Sequence, residues 1–172
     1  MDLSGAIAYA APRTGMNDIY QKINKYVYEI RMIEFDEYLY GMNRKKIDKE
    51  KAYDIIIDAP DYDSNPVTNF WKAVFVDPQM WGYKSSRVEK NESRAIQLYQ
   101  WAVDLDIEGM AEEGDRYACA CLGWMYYYRN DLTALKWFRK AAEQGHAYAQ
   151  FMLGRMYDHG RGMNRNDSTA VE

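Results

Sequence analysis

Apolar side chains recur at steps of three and four along most of the chain, which is the spacing of one face of an α-helix. The clearest example follows the candidate N-cap residues Asn17 and Asp18 and stops at Gly41. Its apolar positions are Ile19, Ile23, Tyr26, Val27, Ile30 and Ile33. The pattern predicts one long amphipathic helix at the start of the chain.

Capping residues place the helices that follow. Asp48 predicts the start of a shorter helix to about Ile57, although the run 55–57 also fits a strand; we prefer a helix because no second strand is nearby. Asn65 and Pro66 form an N-cap and first helical residue after the polar linker 58–65. Further helices are predicted from residue 91 or 93 to 103, and over 116–128, 132–144 and 146–159.

The chain also matches itself. The stretch AEEGDRYACACLGWMY at 111–126 overlies AEQGHAYAQFMLGRMY at 142–157, an offset of 142 − 111 = 31 residues. A fainter copy precedes them from Pro66. The matches predict three helix-turn-helix units between residues 66 and 172, with insertions and deletions between copies.

Glycines recur in this repeat at two kinds of position. Gly123 and Gly154 fall inside predicted helices, where glycine costs roughly 1 kcal/mol relative to alanine, which indicates that a neighbouring helix approaches closely. Gly145 and Gly160 follow helix ends, where a residue with positive φ closes the last turn. Stacked units of this kind bury a continuous core and present a curved surface.

The repeat resembles the Sel-one-like repeat family, a relative of the tetratricopeptide repeats. The resemblance rests on Ala134, Trp137, the run 141–145, Ala149, Leu153-Gly154, Met156-Tyr157 and the run 160–163. It implies an all-α superhelix, a solenoid of about three units over residues 66–172. The resemblance does not reach the first 60 residues, and we expect residues 1–65 to form an N-terminal helical region that caps the array. One departure is that Arg129-Asn130 replaces the Gly-x-Gly turn of the later unit.

The resemblance also implies that the first helix of each unit lines a concave protein-binding face. The side chains there that packing does not require are Tyr117, Ala120, Trp124, Tyr127, Tyr128, Tyr148, Phe151, Arg155 and Asp158. Large aromatic residues with an arginine are typical of interface hot spots. Several of these side chains could instead cover the neighbouring layer.

Composition limits the partner. Lys and Arg total 22 against 26 Asp and Glu, for a formal charge of −4 and a pI near 5.3, which argues against nucleic acid or an anionic membrane. Cys119 and Cys121 would point apart on a helix, so both should be free buried thiols, which fits a reduced, cytoplasmic compartment. A periplasmic location stays open if an export signal preceded residue 1.

Catalytic and metal motifs are missing from the sequence, so we expect no enzyme, cofactor or metal. Asp61, Asp63 and Asn65 match the start of a calcium loop, but Pro66 and Lys72 stand where it needs glycine and glutamate. His146 and His159 are expected to be structural and solvated, respectively.

The sequence therefore predicts an adaptor that binds a protein or peptide. The alternative is a bacterial immunity or inhibitor protein that neutralises a toxin or secreted effector. Asp167–Glu172 matches only the opening of a second helix, so we expect a continuation of the array, or a second copy, to cover the helix 146–159.

Overall fold

The computed structural model describes residues 13–58, 64–79 and 88–162, with side chains from residue 21 onward. The described residues form helices and turns, without strands, as the all-α prediction requires. The helices are α1 (Arg13–Tyr40), α2 (Lys49–Ile57), α3 (Pro66–Val76), α4 (Glu92–Asp104), α5 (Ile107–Glu112), α6 (Arg116–Tyr126), α7 (Asp131–Glu143) and α8 (Ala147–Asp158).

Side-chain caps set most of the helix starts. Asp48 accepts the amide N–H of Lys51 at 3.0 Å to begin α2, and Asn65 accepts that of Thr68 at 3.1 Å to begin α3. Asn91 and Asn130 act in the same way for α4 and α7. Each cap satisfies a backbone donor that has no partner within the helix, so these boundaries follow directly from the sequence.

Two helical hairpins, α3–α4 and α6–α7, carry the repeat, and α8 packs on α7 as the first helix of the next unit. Gly123 of α6 lies against α7, because a Cβ added there would sit 2.6 Å from the Phe138 ring. Gly154 of α8 has no described atom within 4 Å of an added Cβ. The predicted close approach is therefore confirmed at Gly123, and the part of the chain described here shows no such neighbour at Gly154.

The turn after α8 is fastened to the preceding unit. Gly160 and Gly162 both have positive φ, of 64° and 75°. Glycine adopts this conformation without steric cost, so the chain can reverse in a tight turn. Between them, the Arg161 guanidinium pairs with Asp131 at 2.6 Å and lies 4.0 Å above the Tyr127 ring. The turn thus packs the end of α8 onto the start of α7.

The long helix α1 lies along the row of first helices α3, α6 and α8, which we call the inner row. Phe35 contacts Trp71 of α3, with ring centroids 5.0 Å apart. Tyr28 contacts Tyr117 of α6 at 6.0 Å, and further along α1 the ring of Tyr40 stacks on α8. Helix α1 therefore contacts all three helices of the inner row, and the role of residues 1–65 as a cap stays a prediction.

The buried face of α1 differs from the expected one. Its buried side chains are Tyr28, Met32, Phe35, Asp36 and Leu39. The stripe that the apolar spacing picked out lies on the opposite side of the helix and is exposed from Ile23 to Ile33. Helix α1 is apolar on two sides, and the repeat covers only one of them.

Candidate protein-binding site

The side chains of the inner row are positioned by two capped helix starts. Asp115 accepts the amide N–H groups of Tyr117 and Ala118 at 2.9 and 2.8 Å, which fixes the start of α6. His146 accepts the amide N–H of Ala149 through Nδ1 at 3.2 Å, which fixes the start of α8. Both caps bond to α1 as well, so the same residues that begin the helices also hold α1 in place.

A buried hydrogen bond joins α1 to the start of α8. Nε2 of His146 lies 3.2 Å from Oδ2 of Asp36, and both residues are buried. Because Nδ1 accepts a hydrogen bond, the hydrogen-bond pattern assigns the ring proton to Nε2, which donates to the carboxylate. His146 thus has the structural role expected from its position. Oδ1 of Asp36 is buried without a hydrogen-bond partner among the described residues.

Aromatic rings form a stack between α1, α8 and α6. Tyr148 of α8 lies parallel to Tyr40 of α1, with ring centroids 3.8 Å apart and planes 7° apart. The ring of Trp124 of α6 is also nearly parallel to that of Tyr148, at 5.8 Å and 13°. Burial raises the pKa of both tyrosines, so both hydroxyls stay protonated at neutral pH. The stack joins three helices that are distant in the sequence.

Burial divides the nine predicted binding residues into two groups. Tyr117, Ala120, Trp124 and Tyr127 are buried, at 9% exposure or less. Tyr148 is half-buried, and the exposed residues are Tyr128, Phe151, Arg155 and Asp158. The expectation that packing leaves all nine free is wrong for the first four, because α1, α7 and neighbouring rings cover them. Their role in binding stays a prediction.

Tyr117 shows how the inner row is covered. Its ring meets Tyr28 of α1 and His146 of α8 edge to face, the latter at 5.3 Å. Burial raises the pKa of the Tyr117 hydroxyl to about 12, and the neighbouring Arg116 opposes that shift. A partner could reach this side chain only by moving α1.

The exposed residues form an edge beside the aromatic stack. The Phe151 ring contacts Tyr148 at 5.7 Å, and the Arg155 guanidinium lies 5.8 Å from the Phe151 ring. Tyr128 contacts Tyr127 at 4.9 Å and is 74% exposed. Rigid rings held from behind by buried rings lose little side-chain entropy when a partner binds them.

An open groove of about 410 Å³ adjoins Tyr128, and we call it the α4–α6 groove. Its exposed apolar side chains are Ile96 and Val103 of α4, which are 62% and 47% exposed, and Tyr128. The remaining lining residues are Phe70, Asp77, Tyr99, Gln100, Trp124, Met125 and Arg129. Two of the predicted binding residues, Trp124 and Tyr128, thus meet side chains that the sequence did not single out.

The sequence predicts α4 as a packing helix and does not mark Ile96 and Val103 as binding residues. Both side chains lie only partly opposite the buried residues of α4, which are Ala95, Leu98 and Ala102. Periodicity alone therefore does not mark them as unusual. The structure also contains helix α5 between the first two units, which the sequence analysis does not predict. Helix α5 follows α4 and packs mainly on α6.

Other chemistry is not evident at the described residues. They contain no group of three His, Cys, Asp or Glu side chains that could hold a metal ion, and no helix among them is long and apolar enough to cross a membrane. Asp61 and Asp63 of the calcium-like pattern lie outside the described residues. Cys119 and Cys121 are free and buried as predicted, and burial raises the pKa of Cys119 to about 11.

Comparison with known families agrees with the helical pair α6–α7 and with the start of a further unit at α8. The Sel1 repeat model matches residues 80–106, 116–146 and 147–172. The chain belongs to the Sel1 repeat family. The second and third matches begin at α6 and α8, 31 residues apart, so this register agrees with the offset found within the sequence. Searches of curated proteins and of solved structures each found no match.

Membership of the family carries a general function. Sel1 repeats generally mediate protein–protein interaction, and proteins built from them are typically non-catalytic scaffolds. The family match begins at residue 80, so it does not include α1, α2 or α3. The helix that fills the inner row therefore lies outside the matched repeats of this Sel1 protein.

Proposed function

We propose that this Sel1 repeat protein is a non-catalytic scaffold that binds a segment of a protein partner in the α4–α6 groove and along the edge formed by Phe151 and Arg155. The observation that carries the proposal is the exposure of Tyr128, which lines the groove. A large aromatic side chain left 74% exposed beside an apolar groove is the type of residue that anchors protein interfaces.

The position of α1 argues for the groove and edge rather than for the whole inner row. Binding across the inner row would require α1 to leave its contacts with Trp71, Tyr117 and His146. The groove and the edge need no such rearrangement, and rigid docking is the usual behaviour of preformed interfaces. The proposed site therefore keeps Trp124 and Tyr148 as support beneath the contact surface.

The test uses a groove variant that carries Tyr128→Ala and Ile96→Gln. Affinity capture from the native host with mass spectrometry identifies candidates, and titration with each purified candidate gives its Kd. We expect the groove variant to lose at least about 2 kcal/mol of binding free energy, a factor of about 30 in Kd. The matched control carries Ile47→Gln and Leu132→Gln, which are 63% and 57% exposed away from the groove.

Trp124→Ala is unsuitable as a binding test although Trp124 was a predicted binding residue. The side chain is 9% exposed and belongs to the core, so truncation should cost about 3–5 kcal/mol of folding free energy. Exposed substitutions such as Tyr128→Ala usually stay within about 0.5 kcal/mol. Equal partner binding by the wild type and the groove variant, with both folded, would contradict the proposed site.

The immunity or inhibitor role remains the alternative prediction, and the net charge of −4 is compatible with it. A gene for a toxin or secreted effector beside the gene for this chain would favour that role. Tight binding of the purified chain to that toxin, with loss of toxicity, would establish it over a general adaptor.

A further inference from the structure

The outward face of α1 is the largest row of exposed apolar side chains on one described helix. Its members are Ile23 (53% exposed), Tyr26 (64%), Val27 (40%), Ile30 (49%) and Ile33 (43%). We call this row the outer stripe. A helix that is apolar on two opposite sides is normally buried on both. A contiguous apolar patch that stays exposed marks an interaction surface.

The spacing of the outer stripe fits a second helix. Ile23, Tyr26, Ile30 and Ile33 alternate steps of three and four, which are the a and d positions of a heptad repeat. They span about 15 Å of helix at about 1.5 Å per residue. In the sequence of α1 the same spacing extends back to Ile19 and Met16. Side chains in this pattern insert between those of a neighbouring helix along its length.

Charged residues beside the outer stripe indicate which helix that is. Lys22 and Glu29 occupy g positions on one side of the seam, and Val27 and Glu34 occupy e positions on the other. In a parallel pair of identical helices, g faces e of the partner, so Glu29 would meet Glu34. In an antiparallel pair, g faces g, so Lys22 of each helix would meet Glu29 of the other. The stripe is therefore complementary to a second, inverted copy of itself.

We propose that α1 pairs antiparallel with α1 of a second copy of this chain through the outer stripe. In this arrangement Ile23 packs against Tyr26 of the other helix, and two Lys22–Glu29 pairs flank these layers. The buried face of α1, with Met32 and Phe35, stays on the inner row. The dimer therefore forms without unfolding or opening either repeat array.

Sedimentation velocity over a range of concentrations tests the pairing. The wild type should change from monomer to dimer as its concentration rises, whereas Ile23→Lys with Ile30→Lys should stay monomeric. The matched control is Ile96→Lys with Val103→Lys, which places two charges on equally exposed apolar positions of α4 and should leave the dimer intact. Circular dichroism checks that each variant is helical. A monomeric wild type, or a dimer that survives the α1 substitutions, would overturn the proposal.

Charge exchange tests the direction of the helices. Lys22→Glu and Glu29→Lys should each raise the dimer Kd about tenfold, because each replaces two opposite-charge pairs by like-charge pairs. The double exchange should restore the wild-type Kd. A parallel pair behaves differently, because Glu29→Lys would then face Glu34 and tighten the dimer while Lys22→Glu has no charged partner. That result would overturn the antiparallel arrangement.

Discussion

Gly123 and Gly154 occupy the same position in successive repeats, and we predict that alanine has opposite effects at the two sites. Both lie inside helices, so each substitution should gain up to roughly 1 kcal/mol from helix propensity. At Gly154 the new methyl group meets no described atom within 4 Å, so the gain should appear as higher stability.

At Gly123 the new methyl group must displace a core side chain. It would lie 2.6 Å from the Phe138 ring, which is fully buried and is held by Trp124 and Tyr127 at centroid distances of 6.3 Å. Forcing an extra methyl group into a packed core typically costs about 1–3 kcal/mol. Because the propensity gain is common to both variants, their difference isolates this cost.

The assay compares the two variants with the wild type at one protein concentration by urea titration and thermal melting, followed by circular dichroism. The free energies of unfolding should differ by about 1–3 kcal/mol, and Tm by about 2–12 °C for a chain of this size. Equal stabilisation of both variants would refute the close contact between α6 and α7 at Gly123. Marked destabilisation by Gly154→Ala would refute the open face of α8.

Two further predictions concern buried titratable groups. His146→Ala should cost about 3–5 kcal/mol in urea titration, because it leaves the Asp36 carboxylate buried without its partner, and adding Asp36→Asn should recover part of that loss; a double variant no more stable than the single one would contradict this. Burial raises the pKa of Tyr117 from 10.0 to about 12 and that of Cys119 from 9.0 to about 11. The folded chain holds these protons where the unfolded chain releases them, so their contribution to stability is complete below about pH 9 and is lost as pH rises toward about 12; an unchanged urea midpoint between about pH 8 and about pH 11 would contradict this.

Much of the fold could be predicted because its determinants are local. The side chains of Asp48, Asn65 and Asn91 lie within three residues of the amides that they cap, so a helix start is visible in a short stretch of sequence. The repeat register is visible for a similar reason, since a match between two copies needs no knowledge of their packing. Gly145 and Gly160 have the positive φ expected after helix ends.

The position of α1 could not be predicted in this way. Periodicity shows that a helix has an apolar face, and α1 has two, so spacing alone favours the more regular stripe of isoleucines as the buried one. The actual choice depends on Phe35 meeting Trp71 and on Asp36 meeting His146, which are contacts across long stretches of chain. Residue types alone do not indicate those pairs.

The candidate site was predicted only in part, because the burial of its residues also depends on contacts between distant helices. Tyr128, Phe151 and Arg155 are exposed because they lie beyond the reach of α1, and spacing along α6 and α8 was enough to find them. Tyr117 and Trp124 have the same spacing but are covered by neighbouring helices. Ile96 and Val103 belong to the site only because two units pack side by side and form the α4–α6 groove.

The contact between α1 and α8 also has a consequence for synthesis of the chain. His146 follows Asp36 by 146 − 36 = 110 residues, so the ribosome needs between about 5 and about 20 s to supply the partner of that carboxylate. During that interval the outer stripe of the nascent α1 is exposed, and its other side can contact Trp71 of α3 before His146 is made. The units of a repeat array contact mainly their neighbours, whereas the contact between Asp36 and His146 joins residues that are 110 positions apart. A chaperone that shields the apolar sides of α1 while translation continues would therefore act before this contact can form.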